Sequence, residues 1–175
     1  MIKNRYFFSM LLLVSLIFPF AGCEPVTDDG SPVAPITLYE KVGGVWNLSD
    51  MRQIDETAKV AGLSTVEINL YAQFEFGTFS IDLKTENNLP ISYQVSGNAP
   101  ELFPNSGYWQ LDTEFTNADG TPPKILLYSD AGKTVQTGQI SITSIIPGDP
   151  DVMELQLTRT SNGVPFVSYI FKLTK

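Results

Sequence analysis

Nineteen acidic against eleven basic residues in a 175-residue chain give a formal net charge of −8, which repels nucleic-acid phosphates rather than attracting them. The chain has no histidine, which removes histidine-based triads, the usual proton shuttle and the commonest zinc ligand. Its one cysteine leaves no intramolecular disulfide, so the fold must hold by its core alone.

Lys3 and Arg5 precede an almost entirely apolar run from Phe7 to Phe20, and the small residues Ala21 and Gly22 come just before Cys23. A charged, then apolar, then small order is that of an export signal. The apolar run falls short of the roughly 20 residues that a membrane-spanning helix needs. Phe20-Ala21-Gly22-Cys23 resembles a bacterial lipobox, with Phe20 in the place of the usual leucine. The resemblance implies that residues 1–22 are a lipoprotein signal peptide, that cleavage falls before Cys23, and that acyl chains are attached to Cys23. The competing reading is an ordinary cysteine beside a conventional cleavage site. Each buried methylene contributes roughly 0.8 kcal/mol, so more than one acyl chain makes a durable anchor. Loss of the leader removes Lys3 and Arg5 and no acid, which leaves the mature chain more acidic still.

Residues 23–35 read as an acidic, proline-rich tether, with the stretch EPVTDDGSPVAP after the cysteine. Glu24, Asp28 and Asp29 resemble the outward-display signal of Bacteroidota lipoproteins. The expected localisation is therefore the outer membrane, with display on the cell surface. A plain solvated tether explains the same acids.

Residues 36–175 form one domain by this reading, long enough to bury a substantial core. Tyr39 to Trp46 leads into a first strand. Asp55 to Ser64 holds one or two helical turns. Val66, Ile68, Leu70, Ala72, Phe74 and Phe76 recur at every second position, which predicts one long amphipathic strand. After Gly77 the parity shifts to Phe79, Ile81 and Leu83, as at a bulge or tight turn. Trp109, Leu111, Thr113 and Phe115 make another period-two set, followed by Ile140 and Ile142, then Met153, Leu155 and Leu157. Val167, Tyr169, Phe171 and Leu173 close the chain opposite Ser168, Ile170 and Lys172. Turn signals at Asn87-Asn88, Gly97-Asn98, Asn117–Gly120, Ala131-Gly132, Pro147–Pro150 and Asn162-Gly163 separate these runs. The pattern predicts an all-β, antiparallel barrel or sandwich of about eight or nine strands with at most one short helix.

The pentapeptide GVWNL at 44–48 returns as GYWQL at 107–111, and the two copies hold both tryptophans. Glycine before tryptophan lets the chain turn sharply or pass close beneath a neighbour, while the indole covers a large apolar area. Gly44-x-Trp46, the hairpin FEFGTFSIDL, SGYWQLD, MELQLTRT and the closing YIFKL occur in an order that resembles the uncharacterised lipocalin-like lipoproteins of Bacteroidota, over residues 39–175. The resemblance implies a lipocalin-like β-barrel in which Gly44, Trp46, Gly107 and Trp109 form barrel-end plugs, the alternative being that one indole stacks on a ligand. It also implies a basic residue, Arg159 or Lys172, packed over Trp46. Ordinary surface positions for these two are the alternative.

No catalytic constellation is legible. Glu75, Asp82, Asp112 and Glu114 are carboxylates able to pair across strands, yet three of them lie on polar strand faces. Asn117, Asp119, Asp149 and Asp151 sit in turns without a calcium-loop spacing, and turn formation explains them as well. No cofactor or metal site is expected, and the chain reads as a non-enzyme. Leu102 and Phe103, in the loop SGNAPELFPNSG, either meet a ligand at the barrel mouth or plug the core. Tyr71 and Tyr108, on otherwise polar faces, either stack on a sugar or are ordinary surface tyrosines.

Two functions stay open. One is a lipid-anchored envelope barrel that binds a small apolar ligand or a glycan. The other is a structural or accessory lipoprotein with a filled barrel, acting on another envelope protein.

Overall fold

A computed structural model describes residues 34–64 and 66–175. Thr37 opens the domain as a helix N-cap. Its hydroxyl accepts from the Glu40 N–H, and the Glu40 carboxylate accepts from the Thr37 N–H, a reciprocal capping box. The helix that follows, α1 (Leu38–Val42), buries Leu38 and Val42. Tyr39 to Val42 therefore coil into a helix instead of leading extended into the first strand, because the capping box supplies the N–H partners that start a turn.

Nine strands follow: β1 (Gly44–Asp55), β2 (Glu67–Asn69), β3 (Ser80–Glu86), β4 (Leu89–Ser96), β5 (Ser106–Leu111), β6 (Lys124–Tyr128), β7 (Gln136–Ile146), β8 (Val152–Ser161) and β9 (Val164–Thr174). Every pairing is antiparallel. β1 pairs with β3 over Gly44–Asn47 and with β9 over Asn47–Asp55, so β1 and β3–β9 close into an eight-stranded barrel. Closure removes the open sheet edges that a flat sheet would present. β2 stays outside the barrel and pairs only with β1. Ile36–Lys175 is one compact unit.

The period-two sets in β3, β7, β8 and β9 face the core. Ile81, Leu83, Ile140, Ile142, Met153, Leu155, Leu157, Phe171 and Leu173 are all buried. The outward face of β9 departs from the simple pattern, since Ser168 and Ile170 are buried as well. The second helix, α2 (Glu56–Val60), capped by the Asp55 carboxylate on the Ala58 N–H at 2.8 Å, packs over β9 there. Two short α-helices are thus present among the described residues, where at most one was expected.

The long strand expected over 66–76 does not form. Only Glu67–Asn69 is extended, residues 71–75 turn, and Phe76–Thr78 makes a single 3₁₀ turn. Ile68 stays exposed because β2 lies outside the barrel, where neither face meets the core, and Phe74 stays exposed in the turn that follows. Glu75 takes a left-handed backbone (φ 53°), which ends any extended run. The parity shift at Gly77 comes from the 3₁₀ turn and not from a bulge. β5 likewise ends at Leu111, and Thr113 and Phe115 fall in the following connection. There Asp112 accepts from the Lys124 N–H at 2.7 Å, which turns the chain out of the sheet.

Candidate functional site

Antiparallel neighbours place alternate connections at the same end of the barrel. One end carries α1 and the β3–β4, β5–β6 and β7–β8 connections. The other, the mouth, carries the β1–β3 connection and the β4–β5, β6–β7 and β8–β9 connections.

The α1 end is plugged. Trp46 and Trp109 are wholly buried. The Trp46 indole N–H donates to the Val42 carbonyl at the end of α1 (2.7 Å), and that of Trp109 donates to the Lys84 carbonyl (3.0 Å). Tyr39 of α1 tilts against Trp109 with ring centroids 5.8 Å apart, and its hydroxyl accepts from the Leu111 N–H. Burial pushes the Tyr39 phenol up, opposed by that hydrogen bond and assisted by Glu114 and Asp112 nearby. Gly107 is required by close approach, since a Cβ there would collide with the Tyr128 carbonyl and press on the Tyr93 ring. Gly44 is left-handed in φ (+116°), a conformation that side chains rarely adopt.

The cation over Trp46 is Lys175, whose Nζ lies 4.7 Å from the ring centroid. Arg159 is paired opposite Val167, far along β8 from the Met153–Leu173 rung beside Trp46's end of the barrel, and Lys172 is exposed on the outward face of β9. Neither is in a position to cover the indole. The missed residue carries a legible signal: Lys175 shares the inward parity of Phe171 and Leu173.

At the mouth, the β4–β5 loop folds across the opening. Its neck is tied by the Val95 N–H to the Asn105 carbonyl (2.7 Å). Asn98 fastens it to the β1–β3 connection, its N–H donating to the Thr78 hydroxyl (2.9 Å) and its side-chain amide to the Phe74 carbonyl (2.7 Å). Gly97, at φ +77°, passes so close to the Thr78 carbonyl that no Cβ fits. The loop thereby lowers Leu102 and Phe103 into the opening, where both are half-buried against the core. Phe103 meets Phe171 edge-on at 6.1 Å, and Phe171 in turn packs on Phe79 at 6.1 Å. The Arg159 guanidinium donates to the Leu102 carbonyl at 2.7 Å.

Beside this plug lies a cleft of about 190 Å³, walled by Leu102, Phe103, Leu127, Ile140 and Leu157, with Gly138 in its floor and Arg159 at its rim. A surface groove of about 240 Å³ lies at the opposite end, between Lys41 of α1, the 116–123 connection and the end of β7. The barrel interior itself is occupied by side chains, with Trp46, Trp109, Tyr93, Phe79, Phe171 and Met51 the largest.

Tyr71 and Tyr108 are not exposed sugar platforms. Tyr71 is half-buried and lays its hydroxyl over Gly77, and Tyr108 is half-buried between Ser92 and Tyr128 in register. Asp119 and Asp151 serve their turns, accepting from the Thr121 and Gly148 N–H groups. Asp112 and Glu114 sit beside the β5–β6 connection and Asp82 on the outward face of β3, while Glu75 lies in the β1–β3 connection at the mouth. Cys23, the leader and the tether up to residue 33 fall outside the described residues.

A closed antiparallel barrel, plugged by a short helix at one end and by an apolar loop at the other, belongs among the up-and-down barrels and is compatible with a lipocalin-like fold. The chain itself belongs to the family described as Domain of unknown function (DUF5004), whose family model matches residues 22–174. Neither the curated proteins nor the solved structures contain a match to it.

Proposed function

We propose that this protein is a non-catalytic, lipid-anchored binding protein of the cell envelope, and that it binds at its mouth rather than in a deep lumen. The observation that carries the reading is the pairing of a filled interior with an open cleft of mixed apolar and polar lining beside Leu102 and Phe103. Ligand pockets combine apolar walls with placed polar groups, and the mouth cleft sets Leu102, Phe103 and Leu157 beside Arg159. The lipobox-like Phe20–Cys23 supports the anchor, and the family match begins at residue 22, immediately before Cys23. An acyl anchor with the acidic tether after it would hold the domain at the outer membrane, facing outward.

Native mass spectrometry of the protein extracted from its own envelope tests both parts. The expected result is a mass increment on Cys23 that survives denaturation, together with a small mass that denaturation releases. An unmodified Cys23 would remove the anchor, and a bare domain from every extraction would move the function to protein contacts.

A second reading has its own observation. Phe166 and Val164 at the start of β9, and Val60 and Leu63 around α2, are exposed apolar residues beside the buried Ser168–Ile170 face. A face of this kind is where an accessory lipoprotein would meet another envelope protein. Crosslinking in whole envelopes from that face, compared with crosslinking from the mouth, separates the two readings.

A further inference from the structure

We infer that the mouth cleft takes a small carboxylate, a single aromatic ring or short aliphatic chain whose acid group sits on Arg159. The inference rests on the reading of the mouth as the binding surface and adds the class of ligand.

Size comes first. An apolar cavity of about 150 Å³ lined by Leu, Ile and Phe accepts benzene, whereas drug-sized ligands occupy about 300–1,000 Å³. At about 190 Å³ the cleft admits one ring with a short substituent and excludes a long acyl chain or a fused-ring lipid.

The space exists because position 138 has no side chain. Gly138 has the inward parity of Ile140 and Ile142 on β7. A Cβ there would touch only Leu127 Cδ1, at an ordinary 3.8 Å, and the backbone is not left-handed. Nothing in the fold requires glycine at this place. A strand interior pays for glycine in chain entropy and lost packing, and what this one provides is the open floor of the cleft.

Charge decides the rest. Arg159 is the one charged side chain among those lining the cleft. It follows Leu155 and Leu157 on the inward face of β8, and one of its N–H groups is fixed on the Leu102 carbonyl. Among the described residues no Asp or Glu oxygen lies within 4.0 Å of it. A guanidinium carries five donors in a planar fork that matches a carboxylate, so the hydrogen bond to Leu102 orients the fork and leaves donors for an anion. In a chain of net charge −8, a cation without an acidic partner among the described residues, set beside the apolar walls of the cleft, selects for a ligand that is apolar at one end and anionic at the other. Thr137 and Thr158 alternate with Gly138 and Arg159 onto the outer face, where the Thr158 hydroxyl lies 3.0 Å from that of Ser168.

Titration calorimetry on the full chain in detergent, with phenylacetate and its neutral isostere phenylacetamide, tests this. The variants are Arg159→Gln, Arg159→Lys and Gly138→Val, each checked for a cooperative thermal transition no lower than that of the parent chain. Support is phenylacetate binding that weakens at least 10-fold in Arg159→Gln, recovers in part in Arg159→Lys, disappears in Gly138→Val and exceeds phenylacetamide binding. If both probes bind alike, ignore Arg159→Gln and are lost in Gly138→Val, the carboxylate class is overturned while the mouth remains the binding surface. If neither probe binds, or Gly138→Val leaves binding intact, both the ligand class and the mouth reading fall.

Discussion

Lys175 Nζ stands 4.7 Å from the centroid of the Trp46 ring, and the same ammonium donates to the Gly43 carbonyl at 3.0 Å. The last residue of the chain thus fastens the helix-to-strand corner at which the barrel begins. A cation on an indole contributes about 0.5–1 kcal/mol at an exposed site. In a double-mutant cycle of Lys175→Met with Trp46→Phe, read by urea unfolding, a coupling of that size is expected. A coupling of zero would assign the lysine's contribution to the carbonyls alone.

Gly107 and Gly138 should respond in opposite directions to alanine. At Gly107 the added methyl meets the Tyr128 carbonyl and the Tyr93 ring, both in the packed core. Overpacking of this kind costs about 1–3 kcal/mol. At Gly138 it meets open space and one ordinary contact, and relief of unfolded-chain entropy gives a gain of about 0.4–1 kcal/mol. Urea midpoints of the two variants against the parent chain check the contrast.

Tyr93 and Tyr39 make a matched pair. The Tyr93 hydroxyl is buried with no hydrogen-bond partner among the described residues, and burial holds its phenol above the ordinary range. The Tyr39 hydroxyl accepts from the Leu111 N–H. An unsatisfied buried hydroxyl costs about 1–3 kcal/mol, so Tyr93→Phe should leave stability unchanged or raise it. Tyr39→Phe should lower it by about 1 kcal/mol, because it strands the Leu111 N–H. Thermal melts that rank the two the other way would place a partner on Tyr93.

Asp130 sets an acid limit on the β6–β7 loop. Its carboxylate accepts from the Val135 N–H (2.7 Å), and the Thr134 N–H and hydroxyl also donate to it, which together hold it below the usual aspartate range. A carboxyl depressed in the folded state adds stability above its unfolded value, and that stability is lost as pH falls through the folded value. The melting-temperature gap between the parent chain and Asp130→Ala should therefore be full at neutral pH and narrow as pH drops below the ordinary aspartate range. A gap that stays constant with pH would remove the carboxylate's charge from the account.

The sequence by itself determined the class of fold. Burial on one face of a strand imprints apolar residues at every second position, and Ile81-Leu83, Ile140-Ile142, Met153–Leu157 and Phe171-Leu173 carry that imprint into the core. Over 66–76 the alternation is real but β2 lies outside the closed sheet; period two reports a ribbon with two faces and not which face meets a core. The two Gly-x-Trp frames marked buried indoles, and the inward parity of Lys175 and Gly138 was there to be read. What each does was decided only by closure. The β1–β9 register brings the C-terminal lysine to the first tryptophan, and the β4–β5 loop lowers Leu102 and Phe103 beside the bare position at 138. Such contacts join residues far apart in the chain, and they depend on strand stagger and loop path, which local periodicity does not encode.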